Sequence, residues 1–397
     1  MKILHIDETF HPNYGYHTAI LAKYEALNPE NDVTILTVDA KKLYPVYKEF
    51  NDYNYNLDDD KKYEKNNLRI IRVPVRFYLS NRAIYSNKIF KYIKEINPDI
   101  IYCHLVESYI AMKIILKNLH YPIIFDSHML SMASKNPAKK LYNFAYRKII
   151  TKRIIKRKHL IIKTQNDDYV TNMLGIPKEL TRFISFGTDL TLFNKNNDTR
   201  LMIRKKHEID DSDFVVIYTG KLSEAKGGTF FANAVKRKIQ LANNRNIVFM
   251  IVGNMPEKID NIFSESENRI IKIPLQKYVN LNQFYQSADI CIFPKQCSLS
   301  FYDAQACGLP VVSEDNNVNN DRLTFNNGKT FKSGDEQDFV EKIKYFGNLS
   351  KEEINNYSEN AIKFVKDNYS YDKIVKLYDD LYKQQIMIYN DRKAGDK

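Results

Sequence analysis

The chain has 397 residues, of which 44% are hydrophobic and 27% charged. That mix excludes a disordered chain, a collagen and a disulfide-stapled miniprotein, and at roughly 150 residues per domain the length indicates two or three domains. The net charge is +12. Most of the excess lies in the first half, which is therefore the half expected to meet an anionic partner. Cys103, Cys291, Cys297 and Cys307 form no CxxC pair, so zinc and redox motifs find no support and a reduced cytosolic protein is expected. Neither a signal peptide nor a run of about 18 apolar residues is expected to direct the chain into a membrane.

Short apolar runs alternate with helical patterns along the chain. Strands are expected at Lys2–Ile6, Asp32–Val38, Leu68–Pro74, Asp99–Cys103, Pro122–Phe125 and Leu160–Lys163. A second set is expected at Phe214–Thr219, Ile247–Val252, Arg269–Ile273, Asp289–Phe293 and Pro310–Val312. Near-continuous Ile/Val/Phe runs of this kind read as parallel strands buried on both faces, and their alternation with helices argues for doubly wound α/β domains. A helix starts near His17. The polar segment Asn51–Asn67 reads as a long loop. Polar Asn194–Arg200 marks a domain boundary. Ser370-Tyr371-Asp372 caps a final helix with Ile374, Leu377, Tyr378, Leu381 and Tyr382 on one face, and the tail from Asn390 is expected to fray.

Three strand-to-helix loops carry residues suited to an anionic ligand. Gly15 follows the first strand, where ligands bind in open α/β sheets; an ordinary turn glycine is the alternative. In Gly220–Gly228, Lys221 and Lys226 are cations that can clamp a diphosphate, although the P-loop spacing is missing. In Phe293–Val312 a short helix is expected after Ser298. The amides of Leu299, Ser300 and Phe301 would meet phosphate there, and Asp303 would accept two adjacent hydroxyls, as on a ribose. Asp211-Ser212-Asp213 reads as a turn before a strand rather than as metal ligands.

Together these segments resemble GT-B-fold retaining glycosyltransferases of glycosyltransferase family 4. Gly220-Lys221-Leu222 with Lys226-Gly227 resembles the family's Gly-Arg-Leu-x-x-x-Lys-Gly, with Lys for Arg. Asp303-Ala304-Gln305-Ala306-Cys307-Gly308-Leu309-Pro310-Val311-Val312 resembles its Glu-Ala-x-Ala-x-Gly-x-Pro-Val-Val. Lys295 stands where the family has a first Glu. Asn97–His104, Phe125–His128, Phe186–Asp189 with Phe193, and Gly253 follow in the family's order.

The resemblance implies two Rossmann-like domains facing each other across a cleft: an acceptor-side domain 1–193, a donor domain 194–369 and a final helix 370–397 returning to the first. It implies transfer of a sugar from a nucleoside-diphosphate donor to a glycan or lipid-linked acceptor with retention, without metal or cofactor. Lys221 and Lys226 inherit the diphosphate role, with Gly15, Leu299, Ser300 and Phe301 beside them. Asp303 inherits the ribose, His128 the catalytic contact to the donor sugar, and Lys295 and Ser298 the sugar region. Loss of the first Glu keeps a catalytically silent partner subunit in play, and a sugar-nucleotide epimerase is a further alternative.

Arg147–Lys158 is strongly basic, while Leu141, Ala145, Ile149, Ile150, Ile154 and Ile155 recur on another face. Such a helix either sits on an anionic leaflet or packs on the sheet with a solvated face. A cytoplasmic protein attached peripherally to the inner face of the cell membrane would suit a lipid-linked acceptor. Nucleic acid is not expected, because no stacking aromatics interleave the basic residues.

Overall fold

The computed structural model describes residues 1–45, 47, 57–131, 139–295 and 300–395. It forms two compact units, Met1–Phe186 with Tyr371–Lys397, and Gly187–Ser370.

The strands of unit 1 are β1 (Lys2–Ile6), β2 (Asp32–Val38), β3 (Leu68–Val73), β4 (Val75–Leu79), β5 (Arg82–Tyr85), β6 (Ile100–Cys103), β7 (Ile123–Ser127), β8 (Ile161–Lys163) and β9 (Thr181–Phe183). Seven form one parallel sheet in the order β3-β2-β1-β6-β7-β8-β9. The crossovers include helices His17–Glu25, Lys88–Ile96 and Tyr109–Lys117, which cover the sheet faces and make the strands apolar on both sides. The strand order reverses between β1 and β6, opening a crevice beyond their carboxyl ends. β4 and β5 form an antiparallel hairpin that the sequence reading missed. Its turn residues Ser80 and Asn81 have φ of 48° and 59°, the paired left-handed geometry that hairpin turns require.

Unit 2 holds β10 (Phe214–Thr219), β11 (Ile247–Val252), β12 (Arg269–Ile273), β13 (Ile290–Phe293), β14 (Val311–Glu314) and β15 (Gly328–Phe331). They too form one parallel sheet, in the order β12-β11-β10-β13-β14-β15. Every residue of β10 and β11 is buried. Phe231, Phe249, Phe263, Phe339 and Phe346 fill the layer between strands and helices.

Three expectations need correction. Within Asn51–Asn67, Leu57–Tyr63 is a helix and not loop; Asn51–Asn56 lie outside the described residues. Asp58, Asp59 and Asp60 favour its amino end and Lys61 and Lys62 its carboxyl end. Asp60 pairs with Arg72 at 2.7 and 2.8 Å, and the Tyr63 hydroxyl donates to the Ala19 carbonyl at 2.7 Å. Unit 2 begins at Gly187, ahead of the polar stretch, because Phe193 is already buried against Tyr278 and Tyr285. The final helix, Tyr371–Gly395, continues through Asn390 instead of fraying there.

That helix belongs to unit 1. Ile374, Tyr378, Leu381, Tyr382 and Gln385 are buried, whereas Leu377 faces outward. Burying each of the two aliphatic side chains contributes about 1.5–3 kcal/mol. Polar contacts fix the register: Tyr382 donates to Glu25 at 2.6 Å, and the Leu160 amide donates to Gln385 Oε1 at 2.8 Å.

Candidate active site

In unit 2 the loop after β10 is shaped by close backbone approach. The Gly220 amide donates to Val252 O at 2.8 Å and the Leu222 amide to Asn254 O at 2.9 Å. A Cβ on Gly253 would stand 2.1 Å from Gly220 O, so a side chain there would force the two loops apart. Glu224–Lys226 makes one 3₁₀ turn, ended by Gly227 at φ 80°. A Cβ on Gly227 would meet the Cβ atoms of Pro294 at 3.0 Å and Lys295 at 3.2 Å. The fold thus lays the Lys226–Gly227 turn against the loop that carries Lys295. Lys221 and Lys295 are exposed and Lys226 half-buried, all at carboxyl ends of parallel strands.

The helix Ser300–Ala306 follows. Ser300 bonds the buried Tyr285 hydroxyl, which also meets Thr219 at 2.5 Å. The Phe301 ring is fully buried, 5.5 Å from the Arg322 guanidinium and tilted against Phe293 at 6.2 Å. Only its backbone amide, not its side chain, is therefore available to a ligand. Ser298 and Leu299 lie outside the described residues. Asp303 sits in the first helical turn but is 3% exposed. Its Oδ1 accepts from Thr188 at 2.5 Å and Tyr278 at 3.3 Å. Burial pushes its carboxyl up to about 7, against the pull of those two hydroxyls. Two protein hydroxyls thus share Oδ1 of the carboxylate that the sequence reading assigns to a ribose.

A cavity of about 650 Å³ lies elsewhere. Asp211, Asp289 and Gly308 line it, all just before strands begin, so it opens at the opposite end of the sheet from Lys221 and Lys295. Asp213 closes a turn there: its amide donates to Asp210 O and its Oδ2 accepts from the Asp210 amide, both at 3.0 Å. Among the described residues no cluster of three His, Cys, Asp or Glu is disposed to hold a metal ion.

In unit 1, Gly15 is half-exposed in the loop between β1 and helix His17–Glu25. Tyr14 beside it stacks on Tyr47 at 5.3 Å. His128 follows β7, its side chain 32% exposed, with Nε2 3.2 Å from Asp126 Oδ2. Burial opposes a charge on the ring, yet the Asp126 carboxylate outweighs it and holds the imidazole above its ordinary range. Asp126 itself resists burial and stays well below the usual carboxylate range because His128 and His104 face it.

Behind His128 lies a buried polar chain that sequence reasoning missed. Glu25 meets His5 Nε2 at 2.6 Å, His5 Nδ1 meets His104 Nε2 at 3.1 Å, and His104 Nδ1 meets Asp126 at 2.9 Å. Three contacts in series need three protons, so two neutral imidazoles between two carboxylates would leave one contact without its proton. Tyr102 donates to Asp126 at 2.6 Å. His17 is bound between Tyr371 at 3.1 Å and Tyr378 at 2.8 Å. Burial, followed by the nearby His104 and His128, keeps His17 well below its ordinary range, so it serves as a neutral structural partner. The missed signal was polar residues spaced two apart on apolar strands: Tyr102 and His104 at the end of β6, Asp126 in β7. Strand register joins them, and sequence alone does not supply register.

Comparison with known proteins gives these positions a context. Residues 213–347 match the family described as Glycosyl transferases group 1, and residues 54–166 match Glycosyl transferase 4-like. An uncharacterized glycosyltransferase of Methanocaldococcus jannaschii is 23% identical over 242 residues, 57% of this chain and 58% of that protein. The chain's match thus spans little more than half of that curated relative. Anabaena HepE, solved with UDP and glucose, superposes with a TM-score of 0.72 at 14% identity, covering 97% of this chain and 100% of that one. Sucrose-phosphate synthase from Thermosynechococcus elongatus gives 0.69 at 15%, covering 96% and 98%. The fold is that of GT-B glycosyltransferases, and the matched families support a glycosyltransferase.

Proposed function

We propose that the protein transfers a sugar from a nucleoside-diphosphate donor to a glycan or lipid-linked acceptor, with retention at the anomeric carbon. The observation that carries this reading is the convergence in unit 2 of the Lys221–Gly227 turn and the Lys295 loop, inside the segment that matches Glycosyl transferases group 1. As the sugar bond breaks, charge builds on the departing diphosphate. Lys221, Lys226 and the backbone amides of Ser300 and Phe301 would stabilise it, in a role that needs no metal. UDP-glucose bound to HepE favours a UDP-sugar as donor. In unit 1, His128 held by Asp126 would meet the donor sugar.

The test is a melting and hydrolysis screen against UDP-, GDP-, ADP- and CMP-sugars in EDTA. Stabilisation by one nucleotide with slow release of its diphosphate is expected. Stabilisation without turnover toward any acceptor would favour the silent-subunit reading, which rests on exposed Lys295 in place of an acidic residue. Absence of stabilisation would refute the donor site.

The same reading extends to a membrane surface in unit 1. Leu141, Phe144, Ile149 and Ile155 are 72%, 61%, 48% and 43% exposed, flanked by exposed Lys140, Lys148, Lys152, Arg153 and Lys156. Apolar side chains among lysines suit an anionic leaflet. No helix among the described residues is long and apolar enough to cross a membrane.

A further inference from the structure

The cavity at the amino ends of the unit 2 strands takes no part in sugar transfer as proposed above. Its volume, about 650 Å³, is in the range of small-molecule sites. Its charged wall sets Lys195, Arg200, Arg245 and Lys351 against Asp211 and Asp289. Asp289 is already committed: Oδ1 meets Arg200 at 2.6 Å, and Oδ2 meets Arg204 at 2.9 Å and the Val215 amide at 2.7 Å. Arg245 is held by neutral groups. Its Nε donates to Ser212 O at 2.8 Å, and the guanidinium lies 5.4 Å from the centre of the Phe214 ring. These contacts fix the guanidinium and leave its charge uncancelled.

Lys195 donates to the Ser358 hydroxyl at 3.3 Å, and neither it nor Lys351 is paired with a carboxylate among the described residues. Gly308 makes room for that anchor. A Cβ there would stand 2.5 Å from Ser358 Oγ, so a side chain would push away the hydroxyl that holds Lys195. Asp211 is thus the one described lining carboxylate left against Lys195, Arg245 and Lys351. A cavity with surplus positive charge attracts an anion. Neutral amides share the wall. Gln286 Nε2 donates to Asn194 O at 2.8 Å, which fixes the amide's orientation, and its Oε1 is buried without a partner. Asn197 and Asn355 add further amides. Such groups suit the hydroxyls of a ligand, and a bare phosphate ion would fill only a small part of the volume.

We propose that this cavity is a second ligand site of unit 2, and that it takes a phosphomonoester carrying several hydroxyls, up to the size of a hexose phosphate. Lys195, Arg245 and Lys351 meet the phosphate, and the amides meet the hydroxyls. The site opens at the other end of the sheet from Lys221 and Lys295, so it is separate from the donor loops. It stands on its own residues and does not depend on the glycosyltransferase reading.

The test is calorimetry of the full chain at pH 8 with glucose 6-phosphate, glucose 1-phosphate and glycerol 3-phosphate as probes. Wild type should bind at least one of them, and should bind methyl phosphate, which carries the charge without hydroxyls, several-fold more weakly. Lys195→Ala and Lys351→Ala should each weaken the binding of that probe by about tenfold or more, the loss of one contact to a charged group. Both side chains are exposed, so both variants should fold. The double variant Lys221→Ala, Lys226→Ala should bind the probe as wild type does. Wild-type protein that binds none of the three at millimolar concentration would overturn the proposal, as would unchanged affinity in both cavity variants. Loss of binding in the Lys221, Lys226 variant would also overturn it, by placing the phosphate in the donor loops. Methyl phosphate bound as tightly as the best probe would overturn the assignment of a hydroxyl-bearing ligand.

Discussion

Asp303 sits buried in the first turn of its helix, bonded to Thr188 and Tyr278. Its carboxyl titrates near 7 in the folded state against a reference of 3.8. The folded protein therefore holds a proton that the unfolded chain releases. The associated stability is complete below about 4 and is lost as pH rises through about 7, at most ~4 kcal/mol for a shift of this size. Asp303→Asn should flatten the melting temperature between those limits. A ribose that donates to the ionised carboxylate would bind better as the proton leaves, so UDP affinity should rise from about pH 6 to about pH 8 in wild type and stay level in the variant. Affinity independent of pH in wild type would remove Asp303 from the nucleotide site. The position of Asp303 was legible in the Asp-Ala-x-Ala-x-Gly spacing. Its partner Thr188 was not, because the two are 115 residues apart.

At the scale of the element, the helical run 139–157 carries two apolar stripes that a linear sequence merges. Tyr146, Ile150 and Ile154 pack into unit 1, while Leu141, Phe144, Ile149 and Ile155 face outward. The sequence reading placed Ile150 and Ile154 on the same face as Leu141. Arg147, counted there among the basic residues, is committed to the protein: its Nε donates to Met173 O at 3.0 Å, and its side chain lies against Gly175. The outward stripe predicts salt-sensitive binding to vesicles containing phosphatidylglycerol. Leu141→Ser with Phe144→Ser should reduce that binding several-fold without lowering the melting temperature, because both side chains are exposed. Equal binding by variant and wild type, or no binding at low salt, would show that this face is a solvated helix.

For the whole molecule, the two sheets were largely legible because strands covered on both faces advertise themselves as apolar runs. β1, β2, β10, β11 and β12 fall where the patterns place them. β9 and β15 escaped: β9 is three residues long with no fully buried residue, and β15 buries only Phe331. The chain of Glu25, His5, His104 and Asp126 escaped for another reason. It depends on β1 pairing with β6 and β6 with β7, contacts about 20 to 100 residues apart. The central claim is that unit 2 holds a nucleoside diphosphate on the lysines after β10. The most direct measurement is calorimetry of the best nucleotide from the donor screen against wild type and the double variant Lys221→Ala, Lys226→Ala. Two charge-assisted contacts at about 1.5–3 kcal/mol each predict at least about a hundredfold weaker binding in the variant, with the fold retained. Equal affinity in the two proteins would contradict the assignment.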